Sequence, residues 1–166
     1  MANGSDEWSV WLDEHGPALV LLARQWVPSQ ADAEDVVQEA FVRCWRSRER
    51  IETPVAYLYA CVRNCALDWQ RGHNRRQRRE AIVARPEVEP MFTTRIDLEE
   101  RRLAVEAALA RLPKDQAEVL VMKIWGGLTF PQIAAALGIP ANTAASRYRY
   151  ALARLHQALA EEPIHD

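Results

Sequence analysis

Apolar side chains recur every three or four positions along most of this chain, and no stretch alternates apolar and polar residues as a half-buried strand would. The pattern predicts helices throughout. The first covers about Glu7–Val27, with an expected break near Gly16-Pro17, and the second runs from about Ala31 to Arg48. A third starts at Thr53-Pro54, a capping residue followed by proline at the first helical position, and continues to Gln70 or beyond, with Gly72 as its expected end. Residues 81–97 hold two prolines and little periodicity, and read as a linker. Four helices follow, at about Leu98–Arg111, Lys114–Trp125, Thr129–Leu137 and Asn142–Ala160. The expected fold is all-α: two small helical domains, 1–80 and 99–166, joined by a flexible linker over 81–98, the C-terminal one containing a helix-turn-helix.

The helix-turn-helix rests on a local sequence of signals. Thr129-Phe-Pro-Gln132 has the form of a capping box, and Ile133, Ala134 and Leu137 make the apolar side of the short helix that follows. Gly138-Ile139-Pro140 supplies a tight turn before a longer helix. On that helix Ala144, Tyr148, Ala151, Leu152, Leu155 and Leu159 share one arc. Asn142, Thr143, Ser146, Arg147, Arg149, Tyr150 and Arg154 lie opposite. The polar arc can donate to phosphates and to base edges, as groove reading requires.

The earlier helices divide differently. On the second, Val36, Val37, Ala40, Phe41, Cys44 and Trp45 form the apolar side, and Asp32, Asp35 and Glu39 gather on the other. An acidic surface suits a basic protein partner and repels DNA; the plainer alternative is a solvated face that also favours the helix dipole. On the third, Val55, Leu58, Tyr59, Cys61, Val62, Cys65, Ala66 and Trp69 cluster. Tyr57, Asn64, Leu67 and Arg71 lie opposite, Arg63 flanks them, and the run Arg75–Arg79 follows. Aromatic, amide and guanidinium groups beside a basic run suit unpaired DNA, whose bases stack and expose their edges once out of the duplex.

A net charge of −2 fits a DNA binder poorly until the charges are mapped. Residues 71–79 carry five arginines and no acid, whereas Asp32–Glu39 carries four acids and no base, so separate faces serve separate partners. Apolar residues make up 49% of the chain, enough for packed cores, and no run of about 18 uncharged apolar residues exists to cross a bilayer. The N-terminus MANGSDEWSV lacks the layout of a secretory signal, so the expected location is cytoplasmic, with no membrane insertion. Cys44, Cys61 and Cys65 form no CxxC pair and read first as buried small apolar residues, with a metal or redox role as the alternative. The four histidines lie far apart, no HExxH, P-loop or nucleophile elbow occurs, and neither catalysis, a cofactor nor a metal is expected.

Together these segments resemble the extracytoplasmic-function sigma factors of the sigma-70 family, over about residues 10–75 and 99–160. Asp32-Ala-Glu-Asp-Val-Val-Gln-Glu-Ala-Phe41 is similar to the family's polymerase-docking helix, which implies that Asp32, Asp35, Gln38 and Glu39 contact core RNA polymerase. Tyr57-Leu-Tyr-Ala-Cys-Val-Arg-Asn-Cys-Ala-Leu-Asp68 with its basic tail resembles the helix that engages the −10 element. The resemblance implies −10 DNA contacts from Tyr57, Arg63, Asn64, Arg71, Arg75 and Arg76. Asn64 matches the residue that helps hold a flipped base, in a pocket formed largely by the Ser47–Thr53 loop. Leu112-Pro113 through Leu159 resembles the −35-reading domain, implying duplex contacts from Asn142, Thr143, Ser146, Arg147, Arg149 and Tyr150. Ala145, Arg149 and Tyr150 depart from the family's usual residues, which implies a shifted −35 preference. The family also implies an anti-sigma protein as a partner. The residues alone leave one serious rival, a stand-alone dimeric helix-turn-helix regulator; an all-helical enzyme or adaptor is a distant third.

Overall fold

In a computed structural model, residues 4–80, 89–91 and 99–161 are described, and nearly all of them are helical. The first half holds α1 (Gly4–Ala23), α2 (Gln30–Ser47), a 3-10 turn (Arg48–Arg50) and α3 (Pro54–Glu80). The second holds α4 (Glu99–Arg111), α5 (Lys114–Ile124), α6 (Phe130–Leu137) and α7 (Ala141–Glu161).

Helix α1 does not break where expected: Pro17 lies inside it. A mid-helix proline removes one hydrogen bond, but Ala18, Leu19 and the run Leu21–Ala23 directly after it are buried, and that burial keeps the element continuous. Trp8 fastens α1 to α2, with ring centroids 5.7 Å from Phe41 and 5.9 Å from Trp45 in edge-on geometry. Ser29 caps α2 by accepting from the Asp32 backbone N–H at 3.1 Å. Helix α3 continues through Gly72 to Glu80, because Trp69 and His73 stack at 4.7 Å across that turn. In the second half, the Thr129–Gln132 capping box forms in both directions, at 3.3 and 2.8 Å, and Gly138 ends α6 in the left-handed region at φ 65°.

The two halves pack against each other. One buried cluster runs from Leu19, Leu22, Leu58 and Val62 of the first half into Val119, Met122, Leu128 and Ile133 of the second. Helix α3 lies on α6, and α1 on α5. A smaller cluster of Leu109, Leu112, Ala117, Leu120 and Ala151 ties α4, α5 and α7 together. Tyr59 sits at the junction, fully buried, with its hydroxyl 2.9 Å from His15 Nδ1. A Cβ at residue 126 would stand 2.7 Å from that hydroxyl and 2.6 Å from the Met122 carbonyl, so only glycine admits the approach. Beside it, Arg63 Nε donates to Glu118 Oε2 at 2.6 Å, and Glu118 is 3% exposed. Burial pushes the Glu118 carboxyl above the usual range, against the opposing pull of Arg63.

The connection between halves is pinned where it is described. Arg24, itself buried, donates from Nε to the Val27 carbonyl (3.1 Å). Its Nη1 donates to Gln30 Oε1 (3.4 Å) and the Pro90 carbonyl (3.1 Å), and its Nη2 to the carbonyls of Pro28 (2.9 Å) and Glu89. All five guanidinium donors are thereby used. Glu89 returns a backbone N–H to the Pro28 carbonyl and accepts the Gln30 N–H, and Met91 donates to Glu106. The rest of 81–98 lies outside the described residues.

Two consequences are measurable by urea unfolding. Gly138→Ala costs about 1–2 kcal/mol, the left-handed penalty, because nothing but backbone strain opposes the new methyl; Gly138→Asn costs less. Arg63→Met strands a buried carboxylate and costs about 3–5 kcal/mol near pH 8. Without its partner, Glu118 titrates still higher in the fold than in the unfolded chain, where a glutamate titrates near about 4.3. The folded state then takes up a proton that the unfolded state does not, so the deficit shrinks as pH falls toward 5. A deficit independent of pH contradicts the buried pair.

Candidate docking and nucleic-acid surfaces

The acidic side of α2 faces outward. Asp35, Gln38 and Glu39 are exposed and have no role in the core. Glu39 meets Arg43 one turn on at 2.5 Å, a pair more than half exposed on both sides and therefore weak. Asp32 differs: it is half-buried, and its carboxylate accepts the Ser29 hydroxyl at 2.8 Å. That residue holds the helix start together as well as adding charge to the face. The buried side is Ala33, Val36, Val37, Ala40 and Cys44, matching the sequence pattern, with Phe41 and Trp45 packed beside it.

On α3, Tyr57 is 39% exposed and Asn64 lies open one face along. Arg71, Arg75, Arg76, Arg78 and Arg79 are all exposed on the C-terminal extension of the same helix. Because α3 runs unbroken through Gly72, this basic run is a rigid continuation of the surface bearing Asn64. Arg71 has a loose partner in Asp68 at 3.6 Å, and Arg75 reaches back to the Arg71 carbonyl at 3.4 Å. Arg63 is the exception, since it is turned into the junction and paired with Glu118. In the packed arrangement it is withheld from the surface that holds Tyr57 and Asn64.

Where α2 meets α3, Cys61 is half-buried at the margin of the core that encloses Cys44 and Cys65. The neighbouring Cys44, then Tyr57 and the Arg43 charge, pull the Cys61 thiol down to about 7 against its burial. The developing charge on Cys61 pushes the Tyr57 phenol up.

At the far end of the molecule, the exposed part of α7 carries Asn142, Arg149 and Tyr150, the last 63% exposed. Thr143, Ser146 and Arg147 are half-buried at its edge. Arg149 Nη2 donates to Ser146 Oγ at 3.2 Å, and Arg147 lies 3.6 Å from Asp115 at the start of α5. Ala144 and Ala151 are buried and Tyr148 packs edge-on to Phe130, so the wheel reading of α7 holds, except that Leu159 is exposed.

Glu118 and Arg24 were not among the sequence-derived candidates. Glu118 carried a signal: it stands between Ala117 and Val119 in a helix whose neighbours Leu120 to Met122 are all buried. Arg24 carried none beyond being a lone arginine at the end of an apolar helix. Among the described residues no three His, Cys, Asp or Glu side chains converge as metal ligands, and no helix is long and apolar enough to cross a membrane.

Comparison with known proteins accounts for this layout. Residues 11–76 match Sigma-70 region 2, and residues 102–155 match Sigma-70, region 4. The chain is 31% identical over 156 residues to the RNA polymerase sigma-E factor of Streptomyces coelicolor, covering 92% of this chain and 86% of that protein. It is 31% identical over 153 residues to the ECF RNA polymerase sigma factor SigL of Mycobacterium tuberculosis, covering 90% and 86%. A probable RNA polymerase sigma factor, RfaY, of Xanthomonas campestris is 33% identical over 134 residues, covering 75% of this chain but 32% of its own length. The fold resembles that of the sigma factor RpoE from Bartonella quintana, solved in complex with the anti-sigma factor NepR (TM-score 0.72, 24% identity, 96% of this chain and 98% of that one). It also resembles CnrH in complex with the cytosolic domain of CnrY (TM-score 0.68, 23% identity, 98% and 93%). The stand-alone regulator loses its footing, because the similarity extends over both halves in order. The chain belongs to the sigma-70 family as an extracytoplasmic-function (ECF) RNA polymerase sigma factor, and directs promoter-specific initiation of transcription.

Proposed function

We propose a division of labour among the three surfaces. The first half, residues 1–80, docks on core polymerase through Asp35, Gln38 and Glu39 of α2, with Asp32 at the edge. It captures the non-template strand of the −10 element on Tyr57, Asn64, Arg71, Arg75, Arg76 and, once released, Arg63. The second half, residues 99–166, reads the −35 duplex with Asn142, Thr143, Ser146, Arg147, Arg149 and Tyr150. The observation that carries this reading is the segregation of charge on outward faces: acids on α2, arginines on α3 and α7. DNA repels the first face and is attracted by the other two.

Asn64 and Tyr57 supply the chemistry for an extruded base, an amide for its edge and a ring for its face. Each stacked base contributes roughly 1–3 kcal/mol, comparable to the cost of flipping it. The arginine run beyond neutralises phosphates without reading sequence. The phosphodiester chemistry belongs to the polymerase, and the working location is the cytoplasm, where polymerase and promoters are.

Promoter binding requires the two halves to separate. The −35 and −10 elements lie about 25 base pairs apart, roughly 85 Å at 3.4 Å per pair, whereas a compact globule of this length is about 40 Å across. Opening frees Arg63 from Glu118 and exposes the apolar junction. A partner that holds the closed form prevents this, and an anti-sigma protein like the NepR bound to RpoE fits that role.

Purified chain added to core polymerase should yield promoter-dependent run-off transcripts. Asp35→Arg with Glu39→Arg lowers core affinity at least about tenfold, a loss of roughly 1.4 kcal/mol, without changing the melting curve. Asn64→Ala slows open-complex formation and leaves closed-complex affinity nearly unchanged. Unaltered core binding by the first variant, or equal loss at both stages by the second, contradicts the corresponding assignment.

A further inference from the structure

We propose that Glu89-Pro90-Met91 is a strap that holds the two halves closed, and that the Arg24 site beneath it is a receptor for an extended acidic peptide, here filled by the chain itself. The receptor is built from the end of α1 and the start of α2. Arg24 is 3% exposed, and bonds to the Val27 and Pro28 carbonyls and to Gln30 keep its side chain in place. The same guanidinium meets the strap at the carbonyls of Glu89 and of Pro90, the latter at 3.1 Å. The Pro28 carbonyl accepts the Glu89 backbone N–H at 3.1 Å, and the Gln30 backbone N–H donates to the Glu89 carboxylate at 2.9 Å. One short site thus engages two strap carbonyls, one N–H and one carboxylate. The carboxylate sits at the N-terminus of α2, where the helix dipole favours negative charge, and the proline after it has no N–H to satisfy.

The strap also grips the second half. Met91 donates its backbone N–H to Glu106 of α4 at 2.8 Å, and its side chain packs against the main buried cluster. Three residues therefore bridge α1, α2 and α4. Glu89 and Pro90 are exposed, whereas Arg24 is buried. The receptor is a fixed part of the first half, and its ligand can lift away without unpacking that half.

Fastening shortens the tether between the halves. With the strap in place, only residues 92–98 separate Met91 from α4; released, all of 81–98 serve, from the end of α3. Fully extended, these reach about 28 Å and about 65 Å, at about 3.5 Å per residue. Two halves of about 30 Å each leave about 25 Å of the promoter spacing to be bridged, which takes the short tether to its limit and the long one well within its range. Loop-closure entropy grows as (3/2)RT ln n, so this lengthening lowers the ratio of closed to open about fourfold, before any lost contact is counted. The strap stands on its own contacts; its consequence for promoters rests on the separation proposed above.

Two methionines read the device separately in the full-length protein: Met91 lies in the strap, and Met122, 0% exposed, lies at the junction. Slow oxidation to the sulfoxide by dilute hydrogen peroxide, followed by peptide mass spectrometry, gives a rate for each. Glu89→Lys, at an exposed position, sets a cation against Arg24 and the start of α2. It should speed oxidation of Met91 toward its rate in denatured protein, and that of Met122 at least about fourfold, with an unchanged far-UV spectrum. Glu89→Gln keeps an acceptor for the Gln30 N–H and should stay near wild type. An unaltered Met91 rate in Glu89→Lys overturns the strap; a faster Met91 with an unaltered Met122 overturns its hold on the halves. The receptor is tested by adding the peptide Glu87-Val-Glu-Pro-Met-Phe92 to the Glu89→Lys protein. A tethered strap acts at an effective concentration on the order of millimolar, so the peptide should bind in that range and shift the Gln30 amide signal in NMR spectra. A peptide with lysine for its second glutamate should not. Equal binding of both peptides, or of neither, overturns the receptor. With core polymerase and promoter, Glu89→Lys should speed open-complex formation about fourfold. A faster Met122 with an unchanged open-complex rate leaves the strap standing and refutes separation as a condition of initiation.

Discussion

A buried contact between Arg63 of α3 and Glu118 of α5, set beside the close approach of Tyr59 to Gly126, determines how the two halves of this protein stand. Both groups are functionally costly to use in this way. Arg63 belongs to the helix proposed to face DNA, and Glu118 is a carboxylate held almost wholly out of water. A desolvated pair of this kind contributes little net stability, because removing two charges from water offsets most of their attraction. It does impose register: Glu118 without Arg63 is strongly unfavourable at the junction, so the halves meet in one way or come apart. A junction that is specific without being strong suits the proposed opening, in which polymerase and promoter offer better partners.

The second constraint is Arg24. A guanidinium with every donor satisfied by backbone carbonyls and one glutamine is fixed in place, and it fixes what it touches. It joins the end of α1, the start of α2 and the Glu89–Pro90 stretch of the connection. The carboxylate of Glu89 then accepts the first N–H of α2, where negative charge is favoured by the helix dipole. Helix α2 and the connecting segment are therefore parts of one hydrogen-bonded unit. Burial lowers the Arg24 guanidinium below its ordinary range, with Glu89 and Glu106 opposing, yet it stays a cation at any physiological pH.

What the sequence made legible was mostly local. The capping box at Thr129, the left-handed turn at Gly138 and the apolar side of α2 are written in adjacent residues, and each appears as read. The exposed positions of Asp35, Glu39, Asn64 and Arg149 follow from helical periodicity alone. Where reading failed, a packing contact or a side-chain partner had overridden the local signal. Pro17 and Gly72 look like helix ends, but the buried flank of α1 and the Trp69–His73 stack carry the helices through them. Asp32 and Arg147 look like free charges, but Ser29 and Asp115 engage them. Arg63 is the sharpest case. Periodicity places it beside Tyr57 and Asn64, and its partner lies 55 residues away, beyond the reach of any wheel.

The most direct test of this account is the distance between the halves. Labels introduced through unnatural amino acids at Asn74 in α3 and Ala153 in α7, both exposed, report it without disturbing the cysteines. The free protein should give one short distance, and the polymerase–promoter complex a distance longer by on the order of tens of ångströms, as the spacing of the promoter elements demands. A transcribing complex in which the distance is unchanged would contradict the closed junction as the resting state and the opening as a condition of function.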